Sequence, residues 1–184
     1  MTHSMEEPNQ ARMEQAIGRM ARGDRDAMRV LYAECAGAVY AYALSILKNA
    51  ADAEDVLHDC FLKVWSAAPD YESRGKPMAW IFTIAKNLAR SRLRERIRLF
   101  PLSDDDSVLP AKESLPDEDR MLLKACLDEL SDGEREIVIL HAVGGLKHRE
   151  IASIVKLPLG TVLSKYRRAI GKLRAKLEKE QGIV

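Results

Sequence analysis

The chain has little of what catalysis, export or membrane insertion draws on. Cysteine is scarce: among 184 residues there are three, Cys35, Cys60 and Cys126, none in the paired CxxC spacing of a structural zinc site. An odd number of distant thiols excludes a disulfide framework and reads as free, mostly buried side chains. Aromatic residues make up only 5%. HExxH, a Walker glycine loop and a second cluster of metal ligands are all missing, so no catalytic residue, cofactor or metal is expected. No apolar run approaches the ~18 residues of a membrane span. Met1 to Gln10 is polar and partly acidic, unlike a signal peptide or an Arg-rich leader. These absences predict a cytoplasmic protein without membrane insertion and without enzymatic activity. Net charge is also small, +1 from 29 Lys and Arg against 28 Asp and Glu, and as an average it argues against a polyanionic partner.

What is present is segregated. A composition of 47% hydrophobic and 31% charged residues suits a globular helical protein, and no stretch alternates with period two, so an all-α fold is expected. From Ala11 to Asn49 apolar residues recur at three- and four-residue steps, broken near Gly23 and Asp24, which predicts two helices. A third is predicted from Asp52 to Trp65. Its Val56, Leu57, Cys60, Phe61 and Val64 face a core, while Asp52, Asp55, Asp59 and Lys63 share the opposite arc. A loop with Pro69, Gly75 and Pro77 follows. Met78 to Leu99 then reads as one long helix, apolar first (Trp80, Ile81, Ile84, Leu88) and basic afterwards. Lys86, Arg90, Arg92, Arg94, Arg96 and Arg98 stand there against Glu95 alone, a density that repels itself unless a polyanion neutralises it.

Phe100 to Asp119 changes character, with Pro101, Pro110 and Pro116, the run Asp104 to Asp106, then Glu113, Asp117, Glu118 and Asp119. It has no helical period and is read as an acidic linker, 100–118, whose reach of ~60 Å lets the flanking domains, 11–99 and 119–184, stand apart. Residues 1–10 are expected to be disordered. Beyond the linker Arg120 to Leu130 is amphipathic. Ser131 to Glu134 has the Ser-x-x-Glu pattern of a capping box before Ile137, Val138, Ile139 and Leu140. After Gly144 and Gly145 a short helix from His148 to Val155, a turn and a final helix from Thr161 to Glu180 complete the outline of a helix-turn-helix.

On that final helix Val162, Tyr166, Ala169, Ile170, Leu173 and Leu177 form one apolar stripe. The basic residues Lys165, Arg167, Arg168, Lys172, Arg174, Lys176 and Lys179 outnumber Glu178 and Glu180. Such a helix suits duplex DNA, its early side chains reaching base edges in the major groove while Lys and Arg neutralise phosphates.

Five stretches carry a family resemblance. Glu134-Arg135-Glu136-Ile137-Val138, Glu150-Ile151-Ala152 and Gly160-Thr161-Val162 with Ser164-Lys165 resemble region four of bacterial sigma factors, the promoter-binding domain. Asp52 to Trp65 resembles the polymerase-binding helix of region two, and Ala79 to Asn87 its promoter-opening segment. With both in order and no intervening third domain, the chain resembles the extracytoplasmic-function (ECF) group of the sigma-70 family. It departs from the family pattern at Lys147, Lys156 and Leu163, and more mildly at His58 and Asp59.

The resemblance implies two helical domains and a factor that brings core RNA polymerase to promoters, in a stress response. It places Asp52, Asp55, His58, Asp59 and Lys63 on the polymerase, whose beta-prime clamp and beta flap are the implied contacts. It places Trp80, Lys86, Asn87, Arg90 and Arg94 at the minus-ten element, where the loop Ala67 to Lys76 receives a flipped base. Thr161, Ser164, Lys165, Arg167, Arg168 and Lys172 fall at the minus-thirty-five element. An anti-sigma factor is a further implied partner. Two rivals stand beside this reading. An enzyme using Glu54, Asp55, His58 and Asp59 lacks any second ligand cluster. A stand-alone helix-turn-helix regulator with an N-terminal sensor or dimerisation module gives no reason for the basic half of the Met78 to Leu99 helix.

Overall fold

A computed structural model describes residues 6–99 and 125–180, with helices and turns and, among these residues, no strand. The helices are α1 (Glu6–Met20), α2 (Arg25–Leu47), α3 (Ala50–Ala67), α4 (Pro77–Leu99), α5 (Asp132–Ala142), α6 (His148–Val155) and α7 (Leu159–Glu180), with a 3-10 turn at Ala68–Asp70. Residues 125–128 are also helical. The linker and the start of the amphipathic stretch at Arg120 lie outside the described residues. Helix α1 begins at Glu6, inside the segment read from sequence as disordered.

Local chemistry places the helix ends. Gly23, at φ +85°, ends the turn after α1 in a conformation that side chains rarely adopt. The Asp24 carboxylate then accepts from the Asp26 amide at 2.9 Å to open α2. Lys48 closes α2 in the left-handed region at φ 50°, and Asn49 accepts from the Asp52 amide at 2.9 Å to open α3. The predicted capping box forms, with the Ser131 amide donating to Glu134 Oε2 at 3.0 Å. At α6 Lys147 occupies the cap position, where its side chain has no acceptor to offer. The Lys147 amide donates to Glu150 Oε2 at 3.0 Å, so only the returning half of a box is made.

Helix α2 is central, packing on α1, α3, α4 and α5. It also corrects the expectation that no segment matches a membrane span: an 18-residue window within it has a mean hydropathy of 1.5. Its Leu31, Cys35, Val39, Tyr42 and Leu44 are buried in the bundle, so this apolarity is that of a core helix surrounded by others. Leu31 is fully buried, so Leu31→Ala should cost about 2–5 kcal/mol through lost burial and the cavity left behind.

The two halves, free to stand apart by linker length, share one core. Tyr42 and Phe82 from the N-terminal half belong to the same buried cluster as Ile137, Leu140, Leu146 and Ile151. Gly144 is needed there by close approach: a Cβ would sit 2.6 Å from the Leu140 carbonyl oxygen and 2.8 Å from Phe82 Cε2.

Candidate nucleic-acid interface

The acidic arc of α3 is on the surface as predicted, but unevenly. Asp55, His58, Asp59 and Lys63 are exposed. Asp52 is not: its carboxylate accepts from Arg92 Nε at 2.9 Å and lies 3.6 Å from Arg96 Nη1. Arg92 also reaches Asp55 Oδ2 at 2.8 Å. Helix α4 therefore neutralises the first part of the arc from within, and the Asp52 hydrogen bond raises the Arg92 guanidinium above its ordinary range. Asp59 has no such partner among the described residues.

The basic half of α4 is correspondingly less available than its sequence implied. Arg92 and Arg96 turn to Asp52, and Arg96 also donates to the Leu47 carbonyl at 3.0 Å. Arg90 Nη2 lies 3.3 Å from Glu136 Oε2 on α5. Lys86, read as part of an open basic groove, is 3% exposed and donates from Nζ to the Ile154 carbonyl. Burial lowers its ammonium below the ordinary lysine range, and the neighbouring Arg90 adds to this. Asn87, Arg94 and Arg98 are exposed.

Trp80 is half-buried, its ring 4.5 Å from that of Tyr71. The Tyr71 hydroxyl donates to Glu14 Oε1 at 2.7 Å, anchoring the turn to α1, and burial pushes the phenol well above its ordinary value. Phe82 is fully buried, edge-on to Tyr42 at 5.4 Å, and is core rather than a stacking platform. Beside Trp80 a cleft of about 420 Å³ opens, lined by Tyr71, Arg74, Lys76, Thr83 and, from α6, Glu150 and Ser153.

Helix α7 starts two residues before the predicted Thr161, and its stripe holds as far as Leu173: Val162 and Ala169 are buried, with Tyr166, Ile170 and Leu173 partly so, whereas Leu177, expected to face the core, is exposed. Ser164, Arg167 and Arg168 are exposed, and Thr161 is partly exposed. Lys165 lies against the start of α5, its Nζ 3.3 Å from where a Gly133 Cβ would be. Lys172, assigned from sequence to the minus-thirty-five element, is exposed and also makes a bond within the chain. Its Nζ donates to Glu134 Oε2 at 2.8 Å, and this bond holds the Glu134 carboxyl at about 2, well below the usual range. Lys172 thus ties the middle of α7 to the capping box of α5. Around Tyr166 the rings of His141 and His148 crowd at 5.0 and 4.7 Å. His148 Nε2 is buried without a partner among the described residues, and burial lowers its pKa, with His141 adding to this.

Sequence reasoning missed three structural groups, Arg135, Glu136 and Tyr42. Arg135 is buried, donating to the Leu127 and Leu130 carbonyls at 3.0 and 3.1 Å. Glu136 is buried between the halves, accepting from the Tyr42 hydroxyl at 2.8 Å. Tyr42 is one of three tyrosines on α2, with Tyr32 and Tyr40, so nothing in the sequence singles it out for that contact.

Two family models match the chain, Sigma-70 region 2 over residues 31–98 and Sigma-70 region 4 over residues 113–173. The ECF RNA polymerase sigma factor SigL of Mycobacterium tuberculosis is 34% identical over 158 residues, which are 82% of this chain and 89% of that protein. SigK of Mycobacterium ulcerans is 30% identical over 167 residues, 86% of this chain and 89% of that one. The fold is similar to that of the sigma factor RpoE from Bartonella quintana, solved with the anti-sigma factor NepR, at a TM-score of 0.66 and 28% identity. That match covers 78% of this chain and 91% of RpoE.

Proposed function

Because this chain belongs to the ECF sigma factors of the sigma-70 family, directing RNA polymerase to promoters rather than catalysing a reaction, we propose how its surfaces divide that task. The exposed part of the α3 arc, Asp55, His58, Asp59 and Lys63, meets core polymerase, where acidic groups on a rigid helix add specificity and on-rate more than bulk affinity. Asn87, Arg90 and Arg94 meet the strand that opens at the minus-ten element, with the Trp80 cleft as the place for an extruded base. Such a base costs a few kcal/mol to extrude and needs an enclosing wall. Arg167, Arg168, Ser164 and Thr161 meet the minus-thirty-five duplex.

The observation that carries this reading is the outward face of α7, where Arg167 and Arg168 stand exposed opposite the buried Val162 and Ala169. The units are 11–99 and 119–184, tethered through 100–118, so each raises the effective concentration of the other at its site. The chain works in the cytoplasm in a stress response, under an anti-sigma protein. Support for that partner comes from Bartonella RpoE, which was solved in complex with the anti-sigma factor NepR.

Run-off transcription with core polymerase on a promoter library tests the whole reading, with promoter-specific transcripts expected. Asp59→Lys should weaken polymerase binding in fluorescence anisotropy without changing the melting temperature. Equal affinity removes the arc from the interface.

A further inference from the structure

One wall of the Trp80 cleft is a segment whose backbone does little to hold its shape. Tyr71 to Lys76 belongs to no helix, and Gly75 stands at φ +66°. Among the described residues its main-chain hydrogen bonds lie only at its two ends. The Tyr71 amide donates to the Ala68 carbonyl and the Lys76 carbonyl accepts from the Trp80 amide, each at 3.2 Å. Between them, Glu72 to Gly75 depend on side chains for their position.

Those side-chain ties are unequal. Arg74 pairs with Glu72 inside the loop, where both are largely exposed and the pair is of little strength. Lys76, also exposed, lies 3.8 Å from Glu150. Glu14 of α1 reaches two loop residues at once: its Oε1 accepts from the Tyr71 hydroxyl at 2.7 Å and its Oε2 from the Ser73 hydroxyl. The carboxylate stands on a rigid post, since Met13, Ala16, Ile17 and Met20 of α1 are buried. The Tyr71 ring in turn lies 4.5 Å from that of Trp80, so one stiff side chain connects Glu14 to the cleft.

We propose that Glu14, which does not itself line the cleft, is a positioning residue for base selection. It holds the loop from Tyr71 to Lys76 in the register in which its polar groups can read an extruded base. This rests on the reading of the Trp80 cleft as the base site.

The chemistry of the cleft separates affinity from selectivity. Stacking on Trp80 tolerates any base, because every base has a π-face, and the cations of α4 meet a phosphate whatever base it carries. Selectivity needs donors and acceptors held at fixed places against a base edge. In this cleft Glu72, Arg74 and Lys76 of the loop supply most of them, with Thr83 from α4. The selecting groups therefore sit on the segment that needs an outside anchor. Two anchors, two residues apart, fix the rotation of the loop as well as its distance from α1. Ser73 is exposed and would be satisfied by water, so its bond to Glu14 supplies geometry rather than the rescue of a buried group.

The test uses holoenzyme reconstituted with core polymerase, transcribing a pool of promoters that carry each of the four bases in turn at every position of the minus-ten element. Glu14→Ala should lower the preference for the best base about tenfold at one position, the scale of one good base-edge pairing, with the preferences at the other positions kept. Glu14→Gln, which keeps one accepting oxygen, should restore part of that loss. In the free chain, trypsin should cut after Arg74 faster in Glu14→Ala, reporting release of the loop. Should Glu14→Ala fail to fold by circular dichroism, Tyr71→Phe combined with Ser73→Ala removes both ties from the loop side at the cost of two hydroxyls, and the same loss is expected. On that background Glu14→Gln should add nothing. Unchanged base preference in the folded variants overturns the proposal, and so does a Glu14→Gln effect that adds in full to the loop pair. Trp80→Ala separates this failure from an error about the cleft. Intact minus-ten preference in Trp80→Ala removes the base site itself, whereas preference lost there and kept in the Glu14 variants overturns the positioning alone.

Discussion

The basic half of α4 and the basic face of α7 look alike in sequence and differ in what their charges meet. On α4, Lys86, Arg90, Arg92 and Arg96 all have partners within the chain: a carbonyl of α6, Glu136, and the Asp52 and Asp55 pair. On α7, Lys172 and Lys176 turn inward to Glu134 and Glu129, while Arg167 and Arg168 project from the far side of the stripe. A run of cations thus announces a need for anions without saying whose. Position on the helix decides it, because side chains one hundred degrees apart meet different neighbours.

The largest expected effect sharpens the α7 side. Arg167→Ala and Arg168→Ala should each weaken minus-thirty-five duplex binding by about 1–3 kcal/mol if the lost contact is to a base edge. A lost phosphate contact should instead flatten the salt slope by about one. Melting temperature should not move, and a stability loss without an affinity loss would reverse the placement of these residues.

Lys172→Ala tests the other side of the same helix and should cost about 1 kcal/mol of stability in chemical denaturation while leaving duplex affinity alone. It carries a pH signature. Glu134 stays ionised in the folded chain down to about 2, whereas an unfolded glutamate protonates near its ordinary value of 4.5. Its contribution is therefore present above that value and is lost as pH falls towards 2. Removing Lys172 raises the folded pKa and shrinks that contribution, so the acid transition should move to higher pH. An unmoved midpoint would detach Lys172 from the cap.

On α4, Arg92→Ala should cost about 0.5–1 kcal/mol, a small sum because Arg92 and Asp55 are largely solvated. A variant as stable as the parent, but poorer in open complex, would add Arg92 to the nucleic-acid interface.

The smallest effect lies beneath α7. His148 has a lowered pKa in the fold, so the unfolded chain takes up its proton first. Stability of the C-terminal half should decline as pH falls through about 6.5, the ordinary value, towards the folded one. His148→Leu should flatten that slope between pH 7.5 and 5.5 in thermal melts. The acidic and basic neighbours of α5 and α7 stay in both proteins, so a slope left unchanged would assign the pH dependence to them.

Much of the fold was legible because its signals are local. The Gly23 and Asp24 break, the Ser131 and Glu134 pattern and the three-four spacing of Val162, Tyr166, Ala169 and Leu173 act within a turn or two of helix, and each appears where the spacing put it. The Lys156 turn, at φ 57°, kept its left-handed shape without glycine. What stayed hidden acts at a distance. Arg92 and Asp52 are 40 residues apart, Lys86 and Ile154 are 68, and Tyr42 and Glu136 are 94. Periodicity tells which face of a helix is polar, and nothing in it tells which other helix that face will meet. The same limit explains Lys172, whose angular position beside Lys165 fits a groove contact as well as the inward bond it makes.

Arg92 bridges Asp52 and Asp55, and sharing a guanidinium has a thermodynamic corollary. Any protein that takes hold of Asp55 competes with Arg92 for it, and a guanidinium deprived of one carboxylate is a better ligand for phosphate. Linkage is reciprocal, so whatever favours one event favours the other by an equal factor. For a solvated pair contributing about 0.5–1 kcal/mol that factor is only about two to five. It is enough to make the polymerase-facing and strand-facing sides of one small bundle weakly cooperative, without any change of shape.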